Sequence, residues 1–187
     1  MSNSWIHTYT GQQVWPLEAR GTFTRQDVAH HLSMKCRFNG ATRRFYSVAE
    51  HSVRVAKLTG CIHGLMHDAG EAYLPDVASP IKRHLYARQT EKGLDAYAQF
   101  IGVEDNLLRA IYEQFGLDYT GRMLSAAEVH QADLTMLVTE ANELLYGTKD
   151  WGIDLPEPLC VPSSAPLGWS PTRAKAAFLA AYDQLHK

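Results

Sequence analysis

Apolar residues recur at helical spacing along most of this chain, the mark of amphipathic helices that bury one side. In TRQDVAHHLSMKC, Val28, Leu32 and Cys36 share a side, and Thr24 with Asp27 forms an acidic variant of a capping box. SVAEHSVRVAKL repeats the rhythm through Val48, Ser52, Val55 and Leu58, and Gly60 predicts its end. The next segment, residues 61–73, reads as a buried helix closed by Pro75. EDNLLRAIYEQFG sets Leu107, Leu108, Ile111 and Phe115 on one stripe, ending at Gly116. Ser125 is placed to cap a long helix carrying Val129, Met136, Leu137 and Leu144, ending at Gly147. Ser170-Pro171 opens a last helix, docked by Phe178, Leu179, Tyr182 and Leu185. Two stretches break the pattern. WIHTYTGQQVWPL, about residues 5–17, predicts a short β-hairpin turning at Gly11. Residues 147–169 carry Pro156, Pro158, Pro162 and Pro166 and predict a loop. The expected class is all-α with a short N-terminal hairpin.

Ionisable residues interrupt these apolar stripes where a helix interior has no water to offer. HGLMHDAGEA puts His67 and Asp68 side by side among Leu65, Met66, Ala69 and Ala72, with Glu71 a turn later. An unpaired buried charge is costly enough that something must meet it. Asp133 falls inside its helix between Val129 and Met136, where capping is excluded, and His51 lies near the start of a mostly apolar helix. Together, two imidazoles and two carboxylates from three helices make a mixed nitrogen and oxygen set suited to one divalent ion. Neighbours such as His67 and Asp68 point about 100° apart on a helix, so they grasp one ion only from a helix end or bend. That leaves positions open for water and substrate, as catalytic sites require. Glu71 is then placed to take a proton from an attacking water or to hold it in line.

A competing pair is His63 and His67, four apart, but Gly64 stands where a two-histidine metalloprotease needs Glu, so His63 reads as a packing or supporting residue. His30, His31, His84 and His130 read as structural or surface residues. Arg37, Arg43 and Arg44 precede His51, and Lys82 and Arg83 follow Glu71; some belong to solvated faces, yet two basic clusters flanking the site suit a phosphate-bearing substrate.

Composition narrows the partners. The chain has 187 residues, which fits one domain, and is 45% hydrophobic and 20% charged. A formal net charge of −2 argues against a nucleic-acid or membrane surface, both of which need a basic excess. Cys36, Cys61 and Cys160 form no CxxC pair and predict reduced thiols in a cytoplasmic protein. No signal pattern or membrane-length apolar run is expected.

The ordered set AEHS, HDAGE and a distant helical Asp133, with DVASPIK after it, resembles the H…HD…D pattern of the HD-domain metal-dependent phosphohydrolases. The resemblance covers roughly residues 24–146 and implies a single HD-type helical bundle. The hairpin at about 5–17 would precede this metal-site core, and a Pro-rich loop and last helix at about 147–187 would follow it. It implies one divalent transition metal (Co, Mn or Zn) on His51, His67, Asp68 and Asp133, with further divalent ions on substrate phosphates an added expectation. Features shared with the bacterial 5′-deoxynucleotidases imply phosphate binding by Arg37 and Lys82, water handling by Glu71, and assistance near the leaving group by Asp76. The N-terminal region is more similar to compact bacteriophage members. A subset of those hydrolyses dATP to deoxyadenosine and triphosphate in phages that use 2-aminoadenine. By that likeness Trp15 and Leu17 would press on the purine edge, with Phe38 as an alternative stacking residue. The expected place is the cytoplasm, the host's if phage-encoded, and the expected assembly is a dimer or hexameric ring. The nearest alternative is a 5′-deoxynucleotidase acting on monophosphates. A non-catalytic nucleotide-binding module and a structural zinc protein built on His63 and His67 are the rivals from other classes.

Overall fold

In a computed structural model, residues 4–75, 77–78, 81, 96–147, 151–152 and 154–186 are described, with backbone alone for 96–101. The described elements are mainly helical. Seven α-helices run in order: α1 Arg25–Met34, α2 Val48–Thr59, α3 Ile62–Met66, α4 Ala96–Gln114, α5 Tyr119–Leu124, α6 Ala126–Leu144 and α7 Pro171–Leu185. They follow a three-stranded antiparallel sheet of β1 Ile6–His7, β2 Gln13–Trp15 and β3 Arg20–Gly21. The predicted hairpin is therefore present, with Ile6 opposite Val14, and gains a third strand that pairs Trp15 with Arg20.

The caps behave largely as the sequence predicts. Thr24 Oγ1 accepts from Asp27 N at 3.0 Å and donates to the Asp27 carboxylate at 2.7 Å. That carboxylate also accepts from Thr10 N and Thr10 Oγ1, at 2.7 and 2.8 Å, and so ties the hairpin to α1. Ser47 accepts from Glu50 N at the start of α2, and Gly60, at φ 65°, closes it in the left-handed conformation. Ser170 caps α7 through Arg173 N. Ser125 departs from expectation. Its hydroxyl donates back to the Gly121 and Arg122 carbonyls, because α5 runs directly into α6 and no free helix start is left to cap.

Helix α2 sits at the centre. It is buried from Val48 through Val53 and again at Val55 and Ala56, and it packs against α1, α3, α6 and α7. That burial stops short of the last turn, where Lys57 and Leu58 emerge, so the predicted inward position of Leu58 fails: it is exposed. The main core gathers Val28, Leu32, Val53, Leu65, Leu107, Ile111, Tyr112 and Phe178 around it. Residues 154–169 form no regular element, as the prolines predict. They are pinned to α2 by Glu50, which accepts from Gly168 N and from Trp169 N at 2.6 Å while pairing with Arg54. None of the described helices is long and apolar enough to cross a membrane.

Candidate metal centre

The segment read as one buried helix, residues 61–73, is broken where the chemistry requires it. Helix α3 ends at Met66, Asp68 turns away at φ −100° and ψ 14°, and Ala69–Ala72 continues as a 3₁₀ turn. This bend lets adjacent side chains converge. His67 Nε2 lies 3.2 Å from Asp68 Oδ2 and 3.3 Å from His51 Nε2, which comes from α2. The ligand atoms of His51, His67 and Asp68 all lie within 4.8 Å of one another. Asp133, from α6, brings Oδ1 to 3.1 Å from His51 Nε2.

The imidazoles are oriented by their other nitrogens. His67 Nδ1 is 2.8 Å from the Gly64 carbonyl, which only accepts, so Nδ1 carries the hydrogen there. His51 Nδ1 is 2.6 Å from the Glu140 carboxylate, which sets the same tautomer in the neutral ring. Two Nε2 lone pairs therefore face each other beside two carboxylates. Such a set repels itself unless a proton or a cation sits among the donors. Donors about 2.1 Å from a common ion stand about 3.0–3.4 Å apart in octahedral or tetrahedral geometry. The His51–His67 and His67–Asp68 pairs match at 3.3 and 3.2 Å, His51 Nε2 and Asp68 Oδ2 stand 3.9 Å apart, and Asp133 approaches His51 but lies outside the mutually close group. The His51, His67 and Asp68 group fits a divalent metal ion.

Charge at the site points the same way. Burial pulls the His67 imidazole down, but Asp68, Asp133 and the Gly64 carbonyl outweigh it and carry its pKa up to about 9. Burial and the Arg37 guanidinium oppose protonation of His51, and Glu140 with Asp133 overcome them. Against the cost of burial, the imidazoles hold Asp68 and Asp133 below the usual carboxylate range, and Arg37 with His51 does so for Glu140. Without a metal, protons supply the positive charge that these carboxylates demand.

A cavity of about 220 Å³ opens beside the group, lined by His67, Asp68, Gly70, Glu71, Glu104, Asp105, Leu108 and Arg122. Glu71 thus faces the same space as the metal group, and its backbone N–H donates to the Asp68 carbonyl at 3.0 Å. Arg37 reaches the site from before α2, with Nε on Glu140 at 3.0 Å and Nη1 3.7 Å from Asp68. Phe38 lies under the Arg37 guanidinium at 5.6 Å. Trp15 stacks beneath Arg20 at 3.7 Å, Leu17 is exposed, and neither is among the described lining residues of the cavity, nor is Phe38. Asp76, Pro80 and Lys82, with Arg83 and His84, lie outside the described residues. Arg43 and Arg44 are drawn to the Glu143 and Leu167 carbonyls, so that part of the basic cluster braces backbone. His63 stacks on Tyr112 with ring centroids 5.9 Å apart, as a packing residue would.

Sequence reading missed Glu140, whose side chain is completely buried and whose carboxylate accepts from Tyr46 OH at 2.7 Å as well as from His51 and Arg37. Its signal was present. It lies seven residues after Asp133, two helical turns along the same stripe. Arg122 was missed too, because its approach to the cavity depends on α5 crossing α4, which no local pattern announces.

A helical protein with a buried His/His/Asp group able to take a metal is the class these features define. Comparison with known proteins gives it relatives. The chain is 35% identical over 147 residues to the uncharacterized protein YfdR of Escherichia coli K12, covering 75% of this chain and 72% of YfdR. It is 28% identical over 175 residues to the uncharacterized protein RCAP_rcc00048 of Rhodobacter capsulatus, covering 86% of this chain and 84% of that one. The chain belongs to the family of YfdR. No family profile matches it.

Proposed function

We propose that this protein is an HD-type, metal-dependent phosphohydrolase of deoxynucleotides, with His51, His67, Asp68 and Asp133 holding one divalent transition metal. The observation that carries the reading is the convergence of the His51 and His67 Nε2 atoms and the Asp68 carboxylate, with Asp133 beside His51, where His67 and Asp68 line a cavity that Glu71 also lines. The bound ion supplies Lewis-acid polarisation of a phosphoryl oxygen and lowers the pKa of water. The chain's own groups do the rest. Glu71 accepts the proton of the water that attacks phosphorus and holds it in line. Arg37 offers positive charge at the Asp68 side of the site, and Arg122 offers it at the far wall of the cavity. Water adds to phosphorus as the ester bond breaks, and the departing oxygen takes up a proton.

The substrate favoured by the resemblance is dATP, cleaved at the α-phosphorus to deoxyadenosine and triphosphate. A second reading, a 5′-deoxynucleotidase acting on monophosphates, is favoured by one observation. Among the described lining residues, the carboxylates Asp68, Glu71, Glu104 and Asp105 outweigh Arg122 even with a divalent ion on His67 and Asp68, a poor match for a triphosphate that carries no divalent ions of its own. Offering metal-loaded protein a panel of nucleoside and deoxynucleoside mono- and triphosphates, including 2-amino-dATP, and identifying the phosphate released separates the two. Glu71→Ala should keep the metal and lose about 10²–10⁴-fold in turnover. A Glu71→Ala variant with the wild-type rate contradicts the assignment of the base.

A further inference from the structure

His51, His67 and Asp68 are each held from behind, and one carboxylate does most of the holding. Glu140 is completely buried on α6 and uses both oxygens. Oε1 receives His51 Nδ1 at 2.6 Å and Tyr46 OH at 2.7 Å, while Oε2 receives Arg37 Nε at 3.0 Å. Arg37 in turn brings Nη1 to 3.7 Å from Asp68 Oδ2. Glu140 therefore touches one candidate ligand directly and a second through Arg37, although it stands behind the His51 ring and not at its Nε2 edge. A carboxylate in that position fixes the tautomer, sets the ring plane and makes Nε2 a better donor. A carboxylate retained at zero exposure needs such partners to offset its desolvation.

We propose that Glu140 is the positioning residue of the metal centre: it commits His51 to presenting an Nε2 lone pair, and it aims Arg37 at Asp68. This rests on the metal reading above, but not on the identity of the nucleotide. Two imidazole rings are thus prepared in different ways. His67 is set by the Gly64 carbonyl, a neutral acceptor. His51 is set by an ionised carboxylate and is the stronger donor of the two.

The test uses the full-length chain and Mn²⁺ or Zn²⁺ as the probe, with affinity read by competition against a chelator. Glu140→Gln preserves shape and removes the charge. It should fold, by circular dichroism, and lose about 10- to 100-fold in metal affinity. The exposed Glu143→Gln, three residues along the same helix, serves as control and should bind as the wild type does. A folded Glu140→Gln protein with unchanged affinity overturns the proposal while leaving the metal reading intact. Wild-type protein that takes up neither ion overturns both. Should Glu140→Gln fail to fold, nitrogen-15 NMR of the histidines in Zn²⁺-loaded wild-type protein decides the matter. The proposal requires a hydrogen on His51 Nδ1 with Nε2 on the ion, and a His51 bound through Nδ1 overturns it.

Discussion

Asp27 and Asp133 are both acidic residues of helices, and the structure gives them opposite employment. Asp27 is completely buried and structural: Thr24 and Thr10 donate three hydrogen bonds to its carboxylate, which joins the N-terminal sheet to α1. Burial alone would raise its pKa, but those hydrogen bonds outweigh it and leave the group lowered. The sign of the pH effect follows. A carboxylate depressed in the folded state stabilises above its unfolded pKa of about 3.9, and that contribution is lost as pH falls through the folded value. Asp27→Asn should cost about 1–3 kcal/mol at neutral pH. In thermal melts the gap between variant and wild type should be full at pH 6 and should shrink below pH 4. Asp133 instead meets the Nε2 of His51, at 3.1 Å. The sequence marks Asp27 as a capping-box residue and Asp133 as a break in an apolar stripe. The local partner Thr24 was legible there, whereas Thr10 for Asp27 and His51 for Asp133 lie on distant elements.

Elements set the distances that residues use, and α2 with α3 sets the most consequential one. His51 lies on α2 and His67 just past the end of α3, so the helix separation decides whether their Nε2 atoms share an ion. Gly64 permits that separation. A Cβ built there would come 2.3 Å from Thr59 Oγ1 and 3.2 Å from the Ala56 Cα, both on α2. The residue that ruled out a two-histidine protease pattern in the sequence is thus the point where the helices touch. Gly64→Ala should cost about 1–3 kcal/mol through overpacking and push α3 away. It should also weaken metal binding, because the Gly64 carbonyl orients His67. Urea titration and metal titration of the same variant check both outcomes; unchanged metal affinity would mean that this contact does not set the spacing. The bend after α3 was partly legible. Two adjacent ligands demanded a helix end or a bend, and the helix ends at Met66. The third strand and the α5–α6 junction were not legible, since each depends on packing across the chain rather than on local pattern.

At the scale of the whole molecule, the apolar core extends well beyond the metal group: from Val14 through Tyr182 it draws on the sheet, α1–α4 and α7. A structural zinc protein would unfold without its metal, whereas a fold with this core should keep its shape. Chelator-treated protein should retain its helical circular dichroism and a cooperative melt. Restored metal at about 100 times its dissociation constant should add about 2.7 kcal/mol. Loss of helicity on chelation would favour the structural rival. Much of this architecture was written in local pattern: the capping of α1, α2 and α7, the stripes of α4 and α6, and the loop of prolines. Missing were the supports that span the chain, Glu140 to Arg37 across 103 residues and Glu50 to Trp169 across 119.

Whether one ion sits among these four side chains is tested most directly by anomalous diffraction from crystals grown with Mn²⁺ or Zn²⁺. The expected result is a single strong peak per chain about 2.0–2.2 Å from His51 Nε2, His67 Nε2 and one oxygen each of Asp68 and Asp133. No peak among these residues at saturating metal, or an ion held by His63 and His67 with His51 left out, would contradict it.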